Sequence, residues 1–182
     1  MMAVSLFSMM RSRRFLGGIF SILAISGFAM SGALAQPEVI STEKDWGVYR
    51  HQSDAGRICF ISSEPKKKRG NYDRDNRDET RVYVSHGPGK ADRNVVQILA
   101  GYKYKKQSEV SVTIDGKTAK LFTLEDRAWA MSPEDDQQLI RQMKAGNKLV
   151  IKGISSRGNE TIDEYSLSGF TAAKNKLDKL CP

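Results

Sequence analysis

The residues of this chain with chemistry to offer are few: Cys59 and Cys181, His51 and His86, and several short runs of like charge. The cysteines lie far apart, with no Cys-x-x-Cys and no paired-histidine spacing, so they make a poor zinc set. As the only cysteines, they allow a single pairing. Such a bridge closes a loop of roughly 120 residues and stabilises by about 4–5 kcal/mol in the chain-entropy model. Asp73, Asp75 and Asp78 raise the question of calcium. An EF-type loop needs an oxygen ligand where Arg77 stands and a glycine where Asp78 stands. Mutual salt pairing in a solvated loop is the plainer reading of that segment.

Lys66, Lys67, Lys68 and Arg69 form a basic run able to hold phosphate or another polyanion. Lys103, Lys105 and Lys106, interleaved with Tyr102 and Tyr104, would extend it, although the same alternation describes a strand edge guarded by charge. Gly87-Pro88-Gly89-Lys90 lacks the spacing and the Ser/Thr of a phosphate loop and reads as a turn. No Gly-x-Ser-x-Gly elbow occurs, and a triad would have to use His51 or His86, which nothing marks. Glu134, Asp135 and Asp136 supply carboxylates that a helix N-terminus explains. No catalytic constellation emerges, and no cofactor or metal is expected.

The elements that would position these residues are mostly β. Eight strand patterns recur at intervals of roughly 10–15 residues, the spacing of a sandwich or barrel. They cover 46–49, 58–62, 81–84, 94–100, 110–115, 118–123, 148–155 and 161–167. Asp115-Gly116 sits between two of them, where both residues tolerate positive φ, and predicts a tight hairpin. Ser132 followed by Pro133 and three acids, with Gly146 beyond the last turn, predicts a helix over 133–144 with Leu139, Ile140 and Met143 inward. A second helix runs from Thr171 to the C-terminus, with Ala173, Leu177, Leu180 and Cys181 on one face. A Cys59–Cys181 bridge would pin that helix to the strand at 58–62. Pro65 to Thr80 reads as a long exposed charged loop.

Residues 1–35 have the order of a secretory signal peptide. Arg11, Arg13 and Arg14 precede an apolar stretch, and Ala33-Leu34-Ala35 supplies small residues for cleavage after Ala35. The start could be Met1, Met9 or Met10. The arginines lack the spacer usual before Phe in a twin-arginine signal, so general secretion is the simpler route. Without those three arginines the formal charge of +8 becomes +5. Residues 36–182 then form a single domain in a periplasmic or secreted setting, a compartment that permits disulfides.

Several short motifs occur together and in order. They include Asp45-Trp46-Gly47-Val48-Tyr49, Cys59-Phe60-Ile61, Ala100-Gly101-Tyr102 and Glu109 to Gly116. Leu121-Phe122, Ala128-Trp129, Met143 to Gly146, Ser156-Arg157-Gly158, Tyr165 to Thr171 and the final Cys181 follow. The combination, spread over 45–181, resembles the invasion-associated locus B family of alphaproteobacterial envelope proteins. The resemblance implies a secreted, immunoglobulin-like β-sandwich, mainly β, of about eight strands with two short helices. It also implies a link to host-cell invasion and carries no catalytic residues. Many members have a further cysteine soon after the tryptophan, where this chain has Tyr49-Arg50-His51-Gln52, and the 66–79 loop is longer and more charged than usual.

The function expected is therefore a non-enzymatic envelope protein that binds another envelope or host component, with Trp129 and Arg157 as candidate interaction residues. The plain structural reading of the same residues is Trp129 in the core and Arg157-Gly158 as a hairpin turn. Two alternatives are an envelope hydrolase working through carboxylates such as Asp126 and Asp163, and a polyanion-binding module using Lys66, Lys67, Lys68 and Arg69 against an anionic envelope surface. Nucleic acid is not an expected partner, and no membrane span remains after cleavage.

Overall fold

Period-two alternation sorts the strands of this chain into inward and outward rows. The computed structural model describes residues 36–182; the expected signal peptide, with its start and its cleavage after Ala35, lies outside the described residues. Eleven strands and two α-helices follow one another among the described residues. They are β1 (Glu38–Glu43), β2 (Trp46–Ser53), β3 (Gly56–Ser63), β4 (Lys67–Gly70), β5 (Arg81–His86) and β6 (Arg93–Leu99). Then come β7 (Glu109–Ile114), β8 (Lys117–Leu124), β9 (Arg127–Trp129), α1 (Pro133–Ala145), β10 (Lys148–Ile154), β11 (Glu160–Ser166) and α2 (Phe170–Leu180).

The protein is mainly β, and all its strands pair antiparallel in one sheet of order β1-β2-β3-β5-β6-β9-β8-β7-β10-β11-β4. Inward rows run straight across it. Val112 and Ile114 of β7 face Ile151 and Leu149 of β10. Ile61 of β3 matches Val84 of β5, which matches Val96 of β6. These rows feed one continuous core, so the sheet must curl over itself, a shape compatible with two sandwich layers. Its distant parts meet at a seam. Trp46 Nε1 donates to the Ser166 carbonyl at 3.0 Å, and the Asp45 N–H donates to that of Ser168. The Trp46 ring packs edge-on against Phe170.

The eight expected strands are present, and three more join them. β1 is an outer strand with Val39 and Ile40 exposed, so no inward row betrays it. β4 (Lys67-Lys68-Arg69-Gly70) is held by backbone pairing to β11 alone. β9 has three residues, too few for a pattern. The reading of 65–80 as one exposed loop is thereby corrected: it opens with an edge strand, whose charges blunt that edge, and Arg77 within it is buried.

Both helices form where expected. Ser132 caps α1 by accepting from the Asp135 N–H, and Leu139, Ile140 and Met143 are buried. Asp115 and Gly116 adopt φ of 44° and 90° in the β7–β8 hairpin. The disulfide Cys59–Cys181 joins β3 to the end of α2, with a Cα–Cα distance of 6.1 Å and a sequence separation of 122. No helix among the described residues is long and apolar enough to cross a membrane.

Candidate functional site

Asp163 lies on the inward row of β11 with Thr161 and Tyr165, and a carboxylate buried there requires a cation. Arg77 supplies it from the connection between β4 and β5. Its Nη1 and Nη2 donate to Asp163 Oδ1 and Oδ2 at 2.8 and 2.6 Å, and the two side chains are only 3% and 5% exposed. Arg77 Nη1 also donates to the Tyr72 hydroxyl at 2.7 Å and Nε to the Ala100 carbonyl at 2.8 Å. Four of its five N–H groups are thus used. The guanidinium plane is flanked by Tyr72 and Tyr102, 5.2 and 5.0 Å from their ring centres. Burial acts to lower the Arg77 pKa, but the hydrogen bonds and charge of Asp163, with Tyr72, hold it above its ordinary value.

Gly101 lets this corner close. Its φ is +72°, and a Cβ would lie 2.3 Å from the Asp78 carbonyl oxygen, which approaches as the Asp78 N–H donates to Gly101. Tyr102 continues the layer through a 2.6 Å hydrogen bond with Thr161 Oγ1, and burial pushes its phenol up to about 12. Burial likewise raises Tyr104 and Tyr165. The floor is therefore one ion pair among neutral phenols.

Above it opens a cleft of about 370 Å³ between three connections: 72–78, 101–103 and the β10–β11 turn at 155–159. Arg157 stands exposed on that turn and lines the cleft with Lys103, Asn76 and Asn159. Asp73 also borders it, accepting from Asn76 Nδ2 and from the Asp75 N–H, and among the described residues it pairs with no cation, unlike the salt pairing expected from the sequence. The Ser156 N–H donates to Lys103 at 2.7 Å, which locks the turn to the 101–103 wall. The groups that remain available are mixed in charge and rich in donors and acceptors, suited to orienting a polar ligand.

The other sequence candidates are dispersed. Lys66 Nζ pairs with Asp45 at 2.6 Å, and that hydrogen bond lowers the Asp45 pKa. Arg69 pairs with Glu164. Lys66, Lys67, Lys68 and Arg69 thus follow a sheet edge with two of their four charges matched. Trp129 sits on β9, half-buried rather than in the core, stacked on Phe122 at 5.7 Å between ring centres. It lines a different hollow from Arg157, so the two candidates belong to separate surfaces. Asp126 borders a neighbouring hollow with Glu125, Asp78 and Glu79.

Neither histidine lines the cleft. His86 is fully buried and directly opposite Cys59 in the β3–β5 register. Its Nδ1 accepts from the Asn94 N–H at 3.0 Å, so Nε2 carries the proton and donates to Asp178 at 2.9 Å. Among the described residues no group of three His, Cys, Asp or Glu side chains is arranged to hold a metal.

Sequence reasoning missed Arg77 and Tyr72. One signal was present: Thr161, Asp163, Tyr165 and Leu167 alternate, which places a carboxylate on an inward row and calls for a buried cation. Compared with known proteins, the chain matches the family model described as Invasion associated locus B (IalB) protein over residues 49–178. Neither the curated proteins nor the solved structures contain a match.

Proposed function

The chain belongs to the invasion-associated locus B family, and from that membership we propose that it is a non-enzymatic, envelope-associated binding protein acting in the periplasm or after secretion. The polar cleft over Arg77 and Asp163 receives another envelope component or a host component. The observation that carries this reading is the state of the buried carboxylate beneath the cleft, behind Arg77. Both Asp163 oxygens accept from Arg77, so Asp163 is a fixed structural charge, unavailable to give or take the proton that a hydrolase needs. A rigid floor under a rim of Arg157, Lys103, Asn76 and Asn159 suits recognition, because preorganised donors lose little entropy on binding. The Cys59–Cys181 bridge supports an oxidising compartment.

The test is photo-crosslinking in cells. A crosslinking residue is placed at Asn159, on the cleft rim, and at Lys120 on β8. A discrete adduct from position 159 and none from 120, lost when Arg157→Ala is added, is the expected result. Absence of an adduct from folded protein, or an adduct indifferent to Arg157→Ala, overturns the proposal. The adduct identifies the partner by mass.

A further inference from the structure

Away from the cleft, on the outer face of the sheet, the β8–β9 hairpin and the link from β9 to α1 leave apolar side chains uncovered. Leu124 is 62% exposed, Met131 67% and Phe122 39%. With Trp129 and Val95 they line a groove of about 430 Å³. Exposed apolar residues scattered singly need no explanation, but a contiguous set does. Its centre is the Phe122–Trp129 stack, and tryptophan is the residue type most often dominant in a binding surface.

The groove holds one ionisable side chain, Asp136 in the first turns of α1. Asp136 Oδ1 accepts from the Val96 N–H at 2.8 Å, which ties α1 to β6. Oδ2 has no protein donor among the described residues. Burial pushes the carboxyl up to about 6, with Asp135 nearby adding to it. This carboxylate therefore differs from Asp163: among the described residues it has no cation of its own. The neighbouring ionisable groups on α1 are Glu134 and Asp135, so this end of the groove is acidic.

We propose that the groove docks an apolar segment of a partner protein that carries one lysine or arginine, its cation pairing with the free oxygen of Asp136 and its apolar neighbours lying on Trp129, Phe122 and Leu124. Charge complementarity selects this occupant over a purely apolar one, because a hydrocarbon seated over Asp136 would leave a desolvated carboxylate uncompensated. A cation there gains both the ion pair and the face of Trp129. The site is independent of the polar cleft.

The experiment uses the disulfide-intact protein and fluorescein-labelled octapeptides of leucine and phenylalanine with one central lysine, paired with the same peptides carrying acetyl-lysine. Fluorescence polarisation is expected to show the free-lysine peptides bound roughly ten-fold more tightly. Asp136→Asn, which keeps an acceptor for the Val96 N–H, abolishes that preference. Leu124→Asp, at an exposed position where folding is not at stake, weakens both peptides roughly ten-fold, and Arg157→Ala changes neither. Equal affinity for the two peptides, a preference that survives Asp136→Asn, or no binding overturns the proposal. Concentration-dependent self-association abolished by Leu124→Asp, with no peptide bound, assigns the groove to a second copy of the chain and also overturns it.

Discussion

Arg77 and Asp163 lie 86 positions apart in the chain and form a two-pronged ion pair shielded almost fully from water. The pair fastens the charged 71–80 connection to β11 and gives the polar cleft its floor. Removing either partner strands the other. Arg77→Met leaves Asp163 desolvated and is expected to cost about 3–5 kcal/mol. The double variant Arg77→Met, Asp163→Leu removes both charges and should recover most of that loss. Urea unfolding of the single and double variants measures the difference. A double variant as unstable as the single would mean that the packing of Tyr72 and Tyr102, not charge compensation, holds the corner.

The disulfide carries a second expectation. Cys59–Cys181 spans nearly the whole domain, and the chain-entropy model assigns such a loop about 4–5 kcal/mol. Its removal by Cys59→Ser and Cys181→Ser should lower the urea midpoint accordingly. Local hydrogen bonds also hold α2: Arg93 Nη1 donates to the Cys181 carbonyl, and Lys174 and His86 both donate to Asp178. These bonds are few and lie at one end of the chain, so once the bridge is gone hydrogen exchange should show α2 losing protection first while β7 and β10 keep theirs. Uniform loss across all elements would contradict this order.

Two buried groups tilt the pH dependence in opposite directions. Burial lowers the His86 pKa below its ordinary 6.5, so the unfolded chain takes up a proton before the folded one does. The stability contributed by neutral His86 is complete above 6.5 and is lost as pH falls through the folded value. Burial raises Asp136 from 3.8 to about 6. Its contribution is complete below 3.8 and is lost as pH rises through about 6. Asp136→Asn cannot ionise, so its stability relative to the natural chain should climb between about pH 4 and 6, by about 2–3 kcal/mol, then level off. Urea midpoints at half-unit intervals from pH 4 to 8 give the curve. A flat difference would place the Asp136 titration at its ordinary value.

How much of this was readable in the residues depends on what holds each element. The β7–β8 hairpin was legible because Val110, Val112 and Ile114 alternate and Asp115-Gly116 marks the turn. α1 was legible from Ser132-Pro133 and its inward Leu139, Ile140 and Met143. β4 was not, since Lys67-Lys68-Arg69-Gly70 is a strand only because β11 offers it backbone partners. Arg77 was hidden for a related reason. Nothing local separates it from Arg74 beside it, and its partner Asp163 lies far along the chain. The motifs that resembled the invasion-associated locus B family fall largely within the matched residues 49–178. The candidate residues Trp129 and Arg157 were named from sequence, but only the fold separates them onto two surfaces. In the sequence Gly146 reads as the stop of α1; its φ of −95° is ordinary, and the residue is small because a Cβ would lie 2.5 Å from Ile114.

The seam between β2 and α2 supplies the last prediction, through a comparison of two glycines. Gly169, at the N-terminus of α2, has a φ of +92°, and a Cβ on it would lie 1.9 Å from the Glu43 carbonyl oxygen. Gly158, in the β10–β11 turn, has a φ of +84°, and a Cβ on it would meet nothing within 4 Å. Both substitutions to alanine incur the left-handed backbone penalty of about 1–2 kcal/mol. Only Gly169→Ala must also push α2 away from the end of β1 and the turn that leads into β2, where Trp46 is hydrogen-bonded to Ser166 and packed on Phe170. Gly158→Ala should therefore cost about 1 kcal/mol and Gly169→Ala at least about 3 kcal/mol. Thermal unfolding of the two variants decides this. Equal losses would mean that the backbone conformation alone matters, and that the seam yields without cost.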